Sequence, residues 1–356
     1  MALLWFDGFE TYDDYLDANA VSGPGIGTVE SRSDCLFGTT YGRLGGRGMR
    51  VTSSNSGSQH KIGLSGAKST IIVGAAIRKA VDAVPTYKAT AFNLIRFSNS
   101  TYANVYGAMF GSEINFYNYS GSLFGATVGA GLTYNTWRYM EFKVLIHASA
   151  GSIQVLSNGI EVLNLTGLDT WYLAEVGTSA VGLGAAYTGG VPYIHCDWDD
   201  LYICDTEGAQ RNDFLGDVRV DALRPNGAGT YAQFTPSAGA NYENVDEADG
   251  PDDDTTYNEG TTIGHKDAYA IESLPSPAGT TILGVKPQVT VKKTDAGARG
   301  IKVLTKAGST ENLSAEAGLA ENYVHVTDML EDNPDDSAAW EDADIASMEV
   351  GLEITS

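Results

Sequence analysis

Residues 138–147, RYMEFKVLIH, with the turns and apolar runs that follow them to Leu165, are the stretch that decides the fold. Tyr139, Glu141 and Lys143 alternate with Met140, Phe142, Val144 and Ile146, which predicts a strand with one wet face and one buried face. The small residues Ala148-Ser149-Ala150-Gly151-Ser152 reverse the chain into 153–156. Asn158-Gly159 reverses it again into 160–165, because this dipeptide accepts the positive φ values of a type I′ turn. The expectation is a three-strand antiparallel meander.

The same alternation, followed outward, predicts strands at 3–9, 48–52, 70–78, 91–97, 104–110, 113–117 and 194–205. A second series is expected at 217–223, 231–234, 268–274, 288–293, 301–305, 323–327 and 348–354. Near the end, Asn333-Pro334-Asp335-Asp336 predicts a turn and 337–341 a short helix. With 42 Gly and 19 Tyr and no heptad spacing, the chain reads as all-β. No fixed-period repeat is present.

Its 356 residues exceed one average domain, and charge divides them. Residues 1–206 carry 12 basic and 17 acidic side chains, whereas 207–356 carry 10 and 28. Two bodies are expected: a jelly-roll sandwich over 1–216 and a smaller acidic β-sandwich over 217–356. The net charge of -23 excludes a nucleic-acid binder and a protein docked on an anionic membrane, since both need clustered Lys and Arg. Residues 114–137 lack charge but are too rich in Gly, Asn, Ser and Tyr to span a bilayer. Met1-Ala2-Leu3-Leu4-Trp5-Phe6-Asp7 has no basic region before an apolar core, so a chain made in a cytoplasm is expected. Cys35, Cys196 and Cys204 are an odd set. The last two share one expected strand, about 26 Å apart, so free thiols are predicted.

Three groups of residues invite a chemical reading. Residues 243–254 hold seven carboxylates, and Asp246, Asp249, Asp252 and Asp254 are the candidate ligands for calcium, a cation that takes several oxygen donors. The spacing fails the EF-hand pattern, so a solvated loop without cofactor is the expectation. Residues 193–205 concentrate His195, Cys196, Asp197, Asp199 and Asp200. On an unbroken strand these split between two faces, and no carboxylate pair is placed to flank a sugar bond, so no enzyme activity is expected. Tyr102, Tyr106, Phe110, Phe116, Tyr117, Tyr119 and Phe124 fall in a charge-poor region. Core packing is expected to claim some of these; Tyr102, Tyr106, Phe116, Tyr117 and Tyr119 are the candidate contacts for a second subunit or a glycan, because aromatic faces serve both.

Several segments together resemble the concanavalin A-like, laminin-G-like jelly rolls: Leu4-Trp5-Phe6-Asp7-Gly8-Phe9-Glu10, the Gly42-Arg43 to Val51 run, Trp137 to Val144 with its two turns, and Asp199-Asp200-Leu201-Tyr202-Ile203. That resemblance implies that the opening strand lies beside the closing one, Trp5 to Glu10 against Trp198 to Asp205. The continuation Asn212-Asp213-Phe214-Leu215-Gly216-Asp217-Val218, with Asp252-Asp253-Asp254-Thr255-Thr256-Tyr257 and the Asn333 to Trp340 end, is similar to tailed-bacteriophage virion proteins carrying such a jelly roll. It implies a non-enzymatic tail, baseplate or fibre component. Such a component is assembled in the host cytoplasm, partnered by other virion proteins and by copies of itself, as a trimer by analogy with phage fibres, and touches host-surface glycan. A head decoration protein, a stand-alone carbohydrate-binding lectin and a degraded glycan hydrolase are the rival readings. The metal-binding and catalytic residues of the lectin and glucanase relatives are missing from the sequence.

Overall fold

A computed structural model describes residues 2–31, 34–52, 59–81, 92–98, 103–172, 177–184, 194–275 and 279–356. The chain is all-β, and it divides into two compact units. The first comprises Met1–Glu10, Asp14–Asn19 and Gly25–Val220; the second comprises Thr11–Asp13, Ala20–Pro24 and Asp221–Ser356.

The first unit holds two antiparallel sheets. One has eight strands, in the order Ile160–Leu168, Gly151–Ser157, Trp137–Leu145, Thr70–Val81, Ile194–Asp205, Gly48–Thr52 and Cys35–Gly38, with Leu3–Asp7 also pairing with Ile194–Asp205. The other has seven, in the order Leu123–Ala126, Glu113–Asn118, Ala103–Phe110, Phe92–Ser98, Thr178–Leu183, His60–Lys68 and Ile26–Glu30. Inward side chains of both sheets form the core, among them Met49, Ile62, Phe97, Val105, Phe142, Val144 and Trp198, with Phe116 of one sheet 6.3 Å from Phe142 of the other. The meander forms as expected. Asn158 and Gly159 take φ values of 47° and 77°, closing the turn between Ser157 and Ile160.

Strand Ile194–Asp205 serves two partners along one edge. Met49–Thr52 pairs with its first half, and Leu3–Asp7 with its second, Trp5 opposite Ile203, as the jelly-roll resemblance implies. Between the halves the register shifts, and Asp200 takes a left-handed φ of 53°. The expected unbroken alternation is therefore interrupted at Asp199–Asp200. Leu3–Asp7 ends earlier than expected because Asp7 Oδ1 accepts the Phe9 N–H at 2.9 Å and Phe9 turns to φ 63°.

Two further expectations are corrected in this unit. Tyr139 and Glu141, assigned to a wet face, are buried. No strand forms at 217–223 either, and the two corrections have one cause. Residues 213–220 cross the outer face of the eight-stranded sheet, and their N–H groups bond to side chains of that sheet: Gly216 N–H to Glu141 Oε1 at 2.8 Å and Val220 N–H to Asp200 Oδ1 at 2.9 Å. A segment held this way has no period that a reading of alternation detects.

The second unit is built on a six-stranded antiparallel sheet, ordered Pro225–Ala232, Lys266–Ile271, Glu349–Ile354, Gly300–Ala307 and Thr310–Leu313, with Ala317–Gly318 also on Gly300–Ala307. A three-stranded sheet joins Val21–Ser22, Val324–Thr327 and Gln288–Val291; Val303 and Leu352 of the larger sheet cluster with Val326 and Val289 of the smaller. The strand expected at 231–234 instead begins at Pro225, on the sheet edge, where the missing proline N–H breaks no ladder. The helix expected at 337–341 forms at Asp342–Ser347, because Ser337 adopts φ 61° and keeps 333–338 in a turn. Trp340, Ile345 and Met348 close a second apolar cluster around Ile271 and Ala307.

Candidate functional site

Strand Glu113–Asn118, EINFYN, alternates strictly. Ile114 and Phe116 point inward and are fully buried, while Asn115 and Tyr117 point outward. Phe116 thus leaves the group of exposed aromatic candidates and belongs to the core. Tyr102 lies outside the described residues.

Tyr117 stands in register with Tyr106, which pairs with Arg96, which pairs with Gly182, then Lys61 and Glu30. These side chains make one cross-strand row over the outer face of the seven-stranded sheet. Tyr106 and Tyr117 stack with ring centroids 5.2 Å apart and planes within 18°, and Asn115 Nδ2 donates to the Tyr117 hydroxyl at 3.2 Å. At the far end Lys61 faces Glu30 at 3.4 Å. Burial raises the Tyr106 phenol and lowers the Arg96 guanidinium. Beside Arg96 the row holds Gly182, over which the Gln59 side chain lies, its Oε1 2.9 Å from where a Gly182 Cβ would stand. Ala180 and Ala108, two positions along their strands from Gly182 and Tyr106, are buried. Tyr119 is exposed and meets Tyr172 at 3.8 Å between centroids.

The carboxylates of strand Ile194–Asp205 are all committed to the chain itself. Asp197, fully buried, receives Arg50 at 2.6 and 2.9 Å and Arg78 at 2.8 and 2.7 Å; Arg50 lies over the Tyr41 ring and Arg78 over Trp137. Asp199 accepts the N–H of Arg43 at 2.6 Å and that of Asp200 at 2.8 Å. Asp200 takes Arg43 Nη1 at 3.2 Å as well as the Val220 N–H, and Arg43 forks onto Asp217 at 2.6 and 2.8 Å. Burial, then the neighbouring Asp200 charge, pushes the Asp199 carboxyl up to about 7. Next along the sheet Tyr202 Oη donates to Glu141 Oε1 at 2.6 Å, its ring lying across Gly74, where a Cβ would come within 2.0 Å of it. The Tyr139 hydroxyl donates to the Asp200 carbonyl at 3.0 Å. This network fastens 213–220 to the sheet and offers no open carboxylate pair for sugar chemistry. Sequence reading missed Arg43, Glu141 and Asp217 as its members, since nothing local in the sequence brings them together.

All three cysteines are buried thiols outside any disulfide, and burial raises the thiols of Cys196 and Cys204. The acidic segment is likewise engaged. Asp252 accepts the Thr256 hydroxyl at 2.9 and 3.0 Å, and Asp254 bonds Lys292 and, at 3.1 Å, the Tyr323 hydroxyl. Asp252 and Asp254 face different partners. Among the described residues no three His, Cys, Asp or Glu side chains, Asp246 and Asp249 included, converge on one point suited to a metal ion.

No known family model matches the chain, and no characterised protein matches it in sequence. Solved structures do match. The catalytic domain of the glycoside hydrolase family 131 protein from Coprinopsis cinerea is 14% identical over 61% of this chain and 99% of that one, with a TM-score of 0.41. The cellulose-induced protein Cip1 is 13% identical over 49% and 89%, TM-score 0.37. Domain 4 of AbnA, an extracellular arabinanase of family GH43 from Geobacillus stearothermophilus, is 12% identical over 51% and 83%, TM-score 0.33.

Proposed function

We propose that this chain is a non-catalytic structural protein of a tailed-bacteriophage particle, a tail, baseplate or fibre component whose first unit holds host-surface glycan. The observation that carries the glycan contact is the stacked Tyr106–Tyr117 pair. It is a rigid, half-buried aromatic platform on a sheet face, and such platforms bind sugar rings through their C–H faces at little cost in side-chain entropy. The particle assignment rests on the similarity of Asn212 to Val218, Asp252 to Tyr257 and Asn333 to Trp340 to virion proteins. Engagement of Asp197, Asp199 and Asp200 by arginines and backbone N–H groups supports the non-catalytic part. Exposed Phe110, Tyr119, Leu123, Val128 and Tyr134 gather in one span and support assembly with further copies, a trimer in this reading.

The test has two arms. Titration of purified protein against host-surface oligosaccharides gives binding that Tyr106→Ala weakens at least tenfold, and mass spectrometry of purified particles detects the chain. Absence from particles defeats the virion assignment. Unchanged binding in Tyr106→Ala defeats the platform.

A further inference from the structure

In the first unit Arg43, Arg50, Arg78 and Arg138 are matched. Arg50 and Arg78 share Asp197, Arg43 holds Asp200 and Asp217, and Arg138 Nε donates to the Gly131 carbonyl at 3.1 Å. Arg96 lies on the seven-stranded sheet. Its Nε is sealed from solvent and meets no acceptor, a feature it shares with the Nε of Arg47 and Arg211, which are held through other contacts, and among the described residues no ion pair forms on the Arg96 guanidinium. The chain has 45 carboxylates against 22 Lys and Arg, so a shortage of acid does not explain the omission. A guanidinium presents five N–H donors in a fixed fork, and leaving a desolvated N–H such as that of Arg96 Nε unpaired is costly. The neighbours along the row complete the picture. On one side Tyr106 stands beside Arg96 and is itself stacked on Tyr117; on the other Gly182 is buried under the Gln59 side chain, and the acid of the row, Glu30, stands beyond Lys61 and is paired with it. An aromatic face adjoining a planar cation without an ion-pair partner among the described residues fits a ring that carries a coplanar oxyanion.

We infer that the Arg96–Tyr106–Tyr117 row selects a carboxylated sugar, its ring laid on the tyrosine pair and its carboxylate received bidentately by Arg96. This rests on the glycan-binding reading above and narrows it to an acidic substrate class. It also explains how a strongly acidic protein receives an acidic ligand: the cation that meets it is recessed in the row, while the neutral tyrosines surround it.

The probes are a galacturonate trisaccharide and the same trisaccharide with its carboxyl groups reduced to alcohols, titrated calorimetrically into the full chain. The expected result is binding of the acid form at least tenfold tighter than the neutral form, with the preference weakening as salt rises. Arg96→Gln removes that preference, bringing the affinity for the acid form down to that for the neutral form. Arg96→Lys, which keeps the charge without the fork, restores only part of it. A melting temperature within 2 °C of wild type shows that each variant is folded. Gly182→Val, whose added carbons press on Gln59 and Arg96, gives a second perturbation with the charge intact, and it weakens the acid form. Equal binding of both forms, unmoved by Arg96→Gln but lost in Tyr106→Ala, overturns the acidic preference and leaves the glycan reading standing. Binding of neither form, together with no hit on an array of neutral and acidic glycans, overturns both.

Discussion

His60 offers a direct test of how the first unit is held together. It opens strand His60–Lys68 at 1% exposure, its ring edge-on to Phe9 at 5.8 Å and to Phe37 at 6.3 Å, with Nδ1 3.2 Å from the Ser31 hydroxyl. Burial lowers its imidazole from 6.5 to about 4, against a smaller opposing pull from the Asp7 carboxylate. The folded value lies below the unfolded one, so between pH 6.5 and 4 the unfolded chain binds a proton that the folded chain does not. Stability that is complete above pH 6.5 is lost as pH falls toward 4. At about 1.4 kcal/mol per pH unit, the interval amounts to roughly 3 kcal/mol. Asp199 acts in the opposite sense: its folded value of about 7 lies above the usual 3.8, so its penalty on the fold is relieved as pH falls through 7. The measurement must therefore be a difference. Urea unfolding followed by tryptophan fluorescence at half-unit steps from pH 7.5 to 4 is compared between wild type and His60→Gln, which keeps a hydrogen-bonding side chain beside Ser31 and takes up no proton. The variant is expected to lose about 3 kcal/mol less than wild type over that interval. Curves parallel to within 1 kcal/mol would show that His60 is not a desolvated neutral imidazole, and the packing argument around Phe9 and Phe37 would fall with it.

Phe116→Ala should destabilise the first unit by about 3–5 kcal/mol, since it empties a fully buried site against Phe142; a loss below 1 kcal/mol in urea titration would return Phe116 to the surface. Asp197→Asn leaves the Arg50 and Arg78 guanidiniums side by side without a counter-charge and should cost about 3 kcal/mol, the loss shrinking when sulfate is added; an unchanged melting temperature contradicts the pairing. Chelation of calcium should leave the melting temperature unchanged, because Asp252 and Asp254 bond to Thr256, Lys292 and Tyr323; a drop of several degrees would show that the acidic segment holds an ion.

The meander and the long strand 194–205 were legible because their alternation and turn chemistry are local. The same alternation would have separated Phe116 from Tyr117, and Arg96 from Ile95 and Phe97, had adjacent positions been assigned to opposite faces and not pooled as one aromatic cluster. Burial of Tyr139 and Glu141 was not legible. It depends on 213–220 returning across the sheet some seventy residues later, with backbone N–H groups bonded to side chains and no repeating apolar pattern. Strands such as Ile26–Glu30 and Thr178–Leu183 escaped for a related reason: glycines and small residues blur their period, and pairing with neighbours fixes them. At Asp200 a left-handed residue in mid-strand put Asp199 and Asp200 on the same arginine, a convergence that a two-residue period forbids.

The second unit draws its first pieces from the beginning of the chain. Tyr12 sets its ring edge-on to the buried His325 at 5.9 Å, Val21 pairs with His325, and the Thr327 hydroxyl reaches the Ser22 carbonyl across 305 positions. At the usual pace of synthesis, on the order of 5–20 residues per second, a gap of that length keeps residues 11–24 waiting roughly 15–60 s before the strand they join leaves the ribosome. In that interval Tyr12 and Val21, both buried in the finished protein, are open to solvent and to chaperones. Completion of the second unit therefore waits until Val324–Thr327 has been made. A ribosome stalled anywhere before residue 324 releases a chain whose N-terminal segment has lost the strand it was made to join.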